Sequence, residues 1–287
     1  GSIRGTISDA QSAVLPGVTI TLKNVGTNAV QTSVTNEQGA YVLSFVPIGR
    51  YELTAELSGF STAKQANIEI RVGDRLRIDL SLQVGALSEV VNVTAEALLL
   101  ETSSASRGQV ISREQVADLP LLGRNPFMLA LTTPGVQYTP TLASRSNRPF
   151  DNGGMDNLSI SGGVAFTNEL LLDGVPNTGQ ERGGVGNLSF VPSHDATAEF
   201  KVQTNLYDAQ YGRSGGGVVN VILKSGTNAF HGSGYMYYRD ESLNANTFDG
   251  NRTDTPKSSL YWRQPGVTVR GPVRIPKLYD GRDKTFF

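Results

Sequence analysis

Residues Tyr211–Asn228 read YGRSGGGVVNVILKSGTN, and the interpretation of that run decides what kind of fold surrounds it. A glycine cluster opening onto an apolar segment is also the outline of a phosphate-binding loop. Such a loop needs a helix N-terminus behind it, so that free N–H groups and the helix dipole face the anion. Here Val218, Val219, Val221, Ile222 and Leu223 follow instead, and β-branched residues in a row belong in a buried strand. The glycines are not followed by Gly-Lys-Ser/Thr, and Lys224 arrives only after the apolar run. Gly215, Gly216 and Gly217 are therefore expected to be spacers and hinges that let a strand pack closely against its neighbours.

The composition agrees with a β-rich chain. Of 287 residues, 38% are hydrophobic, only 18% are charged and 32 are glycine, a mix that suits strands and turns better than helical bundles. The length suggests about two domains. A formal net charge of −1 gives no electrostatic case for nucleic acid, which is not expected as a partner. There is no cysteine, which excludes disulfides and thiolate metal sites. No apolar run approaches the ~18 residues of a spanning helix; barrel strands carry a much weaker signal and stay open as a possibility. No signal peptide is legible, and Gly1-Ser2 looks like a processed or tagged start.

Upstream, residues 3–84 alternate with period two. Val18, Ile20 and Leu22 share one face of GVTITLKN; Tyr41, Leu43 and Phe45, then Tyr51, Leu53, Ala55 and Leu57, do the same further on. Gly73-Asp74 between two alternating runs predicts a two-residue hairpin of the II′ kind. Seven short strands with turn chemistry such as Asn36–Gly39 predict a small β-sandwich.

The segment LSEVVNVTAEA, Leu87–Ala97, follows the sandwich within a linker spanning 85–97. Its valines want an extended backbone but have few apolar neighbours. It is expected to be a strand without a sheet, free to join another protein's edge; the alternative is a last edge strand of the sandwich. A handful of ladder hydrogen bonds at ~0.5–1.5 kcal/mol each makes a weak, reversible attachment, micromolar at about its best.

Residues 98–227 predict an α+β domain. Ser112–Gln115 is a capping box for a short helix ending before Pro120. Asn125-Pro126 caps a second one, PFMLALTT. Strands are expected around LSI, ELLL (closing on Asp173-Gly174), AEFKVQTN and the opening glycine-led run.

Two resemblances follow from these residues. GTISDAQSAVLPGVTITLKN and TNEQGAYVLSFVPIGRYELTAELSGF resemble the carboxypeptidase-regulatory-like, transthyretin-like domain, an interaction or spacer module. VISREQVADLP, LALTTPGV, LSISGG, LLLDGVP, AEFKVQTNLYDAQYG and GGGVVNVILKSGTN resemble, in order and spacing, the plug of TonB-dependent outer-membrane receptors, and the leading sandwich and the KSGTNAFHGS ending most resemble their Oar-type subgroup. By that resemblance Ser88, Glu89, Val90, Val91, Asn92, Val93, Thr94 and Ala95 occupy the TonB box. Asp173, Gly174, Tyr211, Gly212, Gly215, Gly216 and Gly217 are structural plug-motif residues. The implied partners are the TonB periplasmic domain, outer-membrane lipid around a barrel, and an extracellular ligand of unknown identity. The implied location is the outer membrane, with the N-terminal domain and TonB box periplasmic. The resemblance implies that force comes from the inner membrane, because the outer membrane has no nucleotide supply. Ser161-Gly162-Gly163 stands where many members have Arg-Gly, and Phe200–Asn205 replaces a familiar acidic element, so no ion-pair residue is carried over.

After the plug, residues 228–287 alternate again. Phe230, Met236 and Tyr238 share a face opposite His231, Ser233 and Tyr235; a second strand carries Leu260, Trp262, Val267 and Val269 with an interruption at Pro265-Gly266. DKTFF resembles the start of a third strand. A family barrel has ~22 strands of ~9–11 residues, so these are expected to be first strands of an incomplete barrel. His194 and His231 are expected in loops or on the surface. Asp151–Asn157 lacks an EF-hand pattern and is expected to be a turn rather than a calcium loop, as is Tyr279–Lys284. No metal, cofactor or catalytic residue is expected, since no nucleophile, base and orienter can be assembled. The leading function is energised uptake through the barrel; the alternative is a non-transporting adhesion or assembly protein that binds proteins through its sandwich.

Overall fold

The structure, a computed structural model, describes residues 1–85, 90–92, 107–119, 125–138, 158–165, 167–180, 186–207, 211–212 and 214–287. They fall into two compact units, Gly1–Lys224 and Ser225–Phe287.

The first unit begins with β1 (Ser2–Asp9), β2 (Thr19–Asn24), β3 (Val30–Val34), β4 (Ala40–Leu43), β5 (Gly49–Glu56), β6 (Thr62–Ile70), β7 (Arg75–Arg77), β8 (Leu80–Leu82) and β9 (Val90–Asn92). One sheet runs β4-β1-β7 with β8 also on β1, and the other runs β3-β2-β5-β6-β9. The alternating residues do what their period dictates: Ile3, Ile7, Ile20, Leu22, Leu53 and Ile68 point between the sheets and are at most 1% exposed. Each such side chain contributes ~1.5–3 kcal/mol by leaving water. Phe45 departs from the expected shared face, being 95% exposed on a positive-φ backbone, because the strand before it has already ended at Leu43.

β7 and β8 lie parallel to β1 in one unbroken register, Ser2 opposite Arg75 and Ile7 opposite Leu80. They are one strand interrupted at Ile78–Asp79, and counted so, β1 to β8 make the seven strands expected. The interruption has a local cause. A Cβ on Gly5 would stand 1.7 Å from the Ile78 carbonyl oxygen. The Thr6 N–H is taken instead by the Asp79 carboxylate at 2.7 Å.

The II′ hairpin expected at Gly73-Asp74 does not form. β6 and β7 belong to different sheets, and the turn between them has Asp74 N–H donating to the Arg71 carbonyl at 3.2 Å with φ +72° at Gly73. Positive φ at the third of four residues is the type II pattern, whereas II′ requires it at the second. Alternation on both sides of a turn is equally consistent with pairing and with crossing to the facing sheet.

A plug-like region follows: β10 (Arg107–Ile111), α1 (Arg113–Asp118), β11 (Val136–Tyr138), β12 (Leu158–Ile160), β13 (Glu169–Leu172), β14 (Val175–Pro176), β15 (Thr178–Gln180), β16 (Gly186–Leu188), β17 (Thr197–Asn205) and β18 (Val218–Leu223). Its main sheet has the order β10-β17-β18-β13-β14. The opening glycine-led run is therefore the central strand, and Val218, Val219 and Val221 are fully buried. The Ser112/Gln115 capping box is present on α1. Pro126–Thr132 is a 3-10 helix, capped by the Asn125 side chain, which accepts from Phe127 N–H at 3.0 Å. Asp173 (φ +50°) and Gly174 (φ +80°) link β13 to β14, the two positive-φ residues that a type I′ hairpin demands.

In the second unit β19 (His231–Asp240) and β20 (Tyr261–Arg270) pair antiparallel over their whole length, with α2 (Phe248–Arg252) in the connection. β20 runs through Pro265-Gly266 without the expected interruption. The Tyr235 ring covers the glycine, so closely that a Cβ there would stand 2.0 Å from Tyr235 Cζ. Thr285 and Phe287 return to bond the backbone of Val273 and Gly271.

Candidate functional site

The strand assigned to partner binding is already paired. Val90, Val91 and Asn92 lie parallel to Thr62, Ala63 and Lys64 of β6, at the outer edge of the five-stranded sheet. The expectation of a bare ribbon is corrected for these three residues, which take the edge-strand alternative; β6 offered an open edge that the linear pattern could not reveal. Ser88, Glu89, Val93, Thr94 and Ala95 lie outside the described residues.

The plug-motif glycines are set by contact. A Cβ on Gly216 would stand 2.3 Å from Asn168 Oδ1, one on Gly217 2.5 Å from Ile160 Cγ2, and one on Gly215 3.3 Å from Thr167 Oγ1. None of the three has a positive φ, so they supply room rather than left-handed backbone. Gly217 N–H donates to Asn168 Oδ1 at 3.0 Å and Gly215 N–H to the Thr167 carbonyl at 2.8 Å. Those donors are occupied and cannot cradle a phosphate. Tyr211 and Gly212 lie in the connection from β17 to β18, which Tyr207 closes by donating its hydroxyl to the Ser214 carbonyl.

Asp173 and Gly174 bind the same central strand. Asp173 Oδ1 accepts from Leu223 N–H at 2.9 Å, and Gly174 N–H donates to Asn220 Oδ1 at 3.0 Å. The sequence reading missed Asn168, Asn177 and Asn220, which are buried and staple neighbouring strands through their amides. Asn168 also donates to the Leu158 carbonyl. The available signal was an uncharged amide embedded in or beside an apolar strand, where a polar group survives only if hydrogen-bonded.

His194 lies in the turn between β16 and β17, as a loop residue was expected to, but it is interior and not on the surface. It is 5% exposed, with Nδ1 3.0 Å from the Asp195 carboxylate, while Ser193 Oγ caps the turn by accepting from Ala196 N–H. Asp151–Asn157 lies outside the described residues. Among the described residues no group of three or more acidic, His or Cys side chains could hold a metal.

The hairpin of the second unit has two chemically different faces. Met236, Pro265, Val267 and Val269 lie on one; His231, Ser233, Tyr237, Gln264, Thr268 and Arg270 lie on the other, with Ser233 and Thr268 hydroxyls 2.5 Å apart. The apolar face ends in aromatics: Arg263 stands 5.4 Å and 5.0 Å from the centroids of Tyr238 and Tyr261, and the Tyr238 hydroxyl donates to Asp240 at 2.8 Å. Strands of this length with an apolar band and an amphipathic aromatic rim fit a lipid-facing barrel wall.

Residues 2–83 match the carboxypeptidase regulatory-like domain family, and residues 222–287 match an outer membrane beta barrel domain family. Across 283 residues, 97% of this chain, the sequence is 27% identical to the TonB-dependent transporter Oar of Myxococcus xanthus. The chain is similar to a TonB-dependent outer-membrane transporter along nearly its whole length. This Oar-like chain is an outer-membrane protein combining a carboxypeptidase-regulatory-like domain, a plug-like region and barrel strands. It spans 24% of the length of that relative. Its structure is also similar to the siderophore receptor PirA of Pseudomonas aeruginosa, with 20% identity and a TM-score of 0.40 over 58% of this chain and 24% of that one. For the transporter YddB of Escherichia coli the values are 16% and 0.41, over 57% and 24%.

Proposed function

We propose that the Oar-like chain belongs to an energised receptor. A ligand binds above the plug from outside, and the TonB periplasmic domain takes the strand within Ser88–Ala95 and pulls the plug out of the way. The proposed divisions are 3–84 for the sandwich, 85–97 for the linker with the TonB box, 98–227 for the plug and 228–287 for the first barrel strands. The observation that carries this reading is β9, a three-residue strand on the outermost edge of its sheet between sandwich and plug. Each net ladder bond holds it by only ~0.5–1.5 kcal/mol. A partner that pairs with a longer stretch of the same segment displaces it by strand exchange. The side on which TonB stands is supported by the long connection from Glu241 to Leu260, since barrels have short periplasmic turns and longer external loops.

The test is titration of a TonB C-terminal domain against the chain and against Val91→Pro, which removes a ladder donor at the middle of β9. Affinity is expected to fall at least tenfold in the variant. Equal affinity for both overturns the strand-exchange reading.

A second reading, adhesion or assembly through the sandwich, is favoured by one observation. The edge strand β3 carries no charge and exposes Val30 and Val34, and the loop after β4 presents Phe45. Uncharged apolar edges invite an added strand. Binding of an envelope protein by residues 3–84 alone supports this reading, whereas ligand-dependent hydrogen exchange in the plug of the whole receptor supports transport.

A further inference from the structure

Strand β17 is two-faced in an unusual way. Phe200 and Val202 point into the plug core and are fully buried, as their period requires. Glu199 and Lys201 occupy the opposite face, which a lone plug would leave to water. Yet Lys201 is only 8% exposed, and lysine is almost never buried unless something polar or charged covers it. The cover is the turn between β6 and β7 of the sandwich. Val72 N–H donates to Glu199 Oε1 at 2.5 Å across 127 residues of sequence, and Val72 itself is 6% exposed. Beside it, the bare Cα of Gly73 leaves the space in which Lys201 lies: a Cβ there would be 3.3 Å from Lys201 Nζ and 3.4 Å from its Cδ. The turn is held in shape independently, by Arg71 N–H on the Asp74 carboxylate at 2.8 Å and Asp74 N–H on the Arg71 carbonyl.

We propose that the Arg71–Asp74 turn is a latch that seats the sandwich on the plug, with Glu199 and Lys201 of β17 as its receiving half. The geometry gives it a mechanical meaning, which rests on the energised-receptor reading. β9 is paired to β6, β6 leads directly into the turn, and the turn bonds a strand adjacent to the central strand of the plug sheet. Once β9 has left β6, a pull on this segment still loads the sandwich through the chain that precedes it, and the turn carries that load to the plug by the Val72–Glu199 bond. The sandwich is then a handle on the plug rather than a tethered bead.

Charged groups surround the seat on every side. Asp74, Arg71 and Glu69 of the sandwich face Glu199. A substitution must therefore separate loss of the hydrogen bond from loss of charge. Glu199→Ala removes the acceptor; Glu199→Gln keeps a carbonyl oxygen there without the charge. The experiment is residue-resolved amide exchange by NMR on the whole chain. In Glu199→Ala the Val72 amide is expected to exchange at least tenfold faster, while the Arg71 and Asp74 amides keep their rates because the turn stays formed. In Glu199→Gln the Val72 amide stays protected. An unchanged Val72 rate in Glu199→Ala overturns the latch, as does equal acceleration of all three amides, which would mean that the turn melts rather than undocks. No TonB enters this measurement, so failure of TonB to bind β9 refutes the energised-receptor reading and leaves the latch intact, and the reverse holds equally.

Discussion

Gly217 and Gly174 belong to the same plug motif but are glycine for different physical reasons. At Gly217 a Cβ would press on Ile160 Cγ2 at 2.5 Å and the Gln203 carbonyl at 2.8 Å, whereas at Gly174 it would meet nothing within 4 Å but would sit on φ +80°. Gly217→Ala must move packed core and backbone, and is expected to cost ~3 kcal/mol. Gly174→Ala bears only the left-handed backbone, ~1–2 kcal/mol. Chemical denaturation of the two variants checks the order; equal losses would show that the tight packing around Gly217 is not what selects glycine. Glu199 makes a residue-scale prediction about pH. Burial raises its carboxyl above the ordinary value of 4.5, against the opposing hydrogen bond from Val72; Asp74 raises it further and Arg71 lowers it. The folded chain therefore holds that proton more tightly than the unfolded one, so this group favours folding as pH falls through its raised value, and the advantage is absent above it. Glu199→Gln has no such dependence. The stability difference between variant and wild type is expected to be largest near neutrality and to level off below pH 4.5; a difference independent of pH in thermal melts would refute the assignment.

At the scale of elements, period and pairing carry different information. The period of β19 and β20 places Val267 and Thr268 on opposite faces with no help from tertiary structure, and the paired register aligns Val267 with Gly234 and Thr268 with Ser233. Val267→Arg puts a charge into the lipid-facing band and is expected to cost ~2–4 kcal/mol near the membrane midplane. Thr268→Arg, on the polar face beside Arg270, is expected to be far milder. Folding of the membrane-embedded receptor into vesicles, followed by denaturant titration, compares them; a larger loss from Thr268→Arg would reverse the assignment of faces. β9 shows the other side of the matter. Its valines correctly announce an extended backbone, but the strand that accepts it, β6, is defined by an edge left open elsewhere. The same limit produced the mistaken hairpin at Gly73-Asp74, where two sound strands meet a sound turn and nonetheless part into separate sheets.

Over the whole molecule, local sequence is enough to set most of the elements. Alternation set which residues of the sandwich face inward. Asp173-Gly174 specified its turn because φ must be positive twice in succession. Ser112 and Gln115 specified a helix start, and the valines after Gly217 specified an interior strand. These are short-range consequences of dihedral preference, side-chain period and hydrogen-bond supply, and they act wherever the residues stand. Only tertiary structure decided what each element touches: β9 on β6, the crossing from β6 to β7, the burial of His194, the amide staples of Asn168 and Asn220, and the seating of Val72 against Glu199. Those contacts join residues far apart along the chain, and local propensity carries no energy term for a partner that only the completed fold brings within reach.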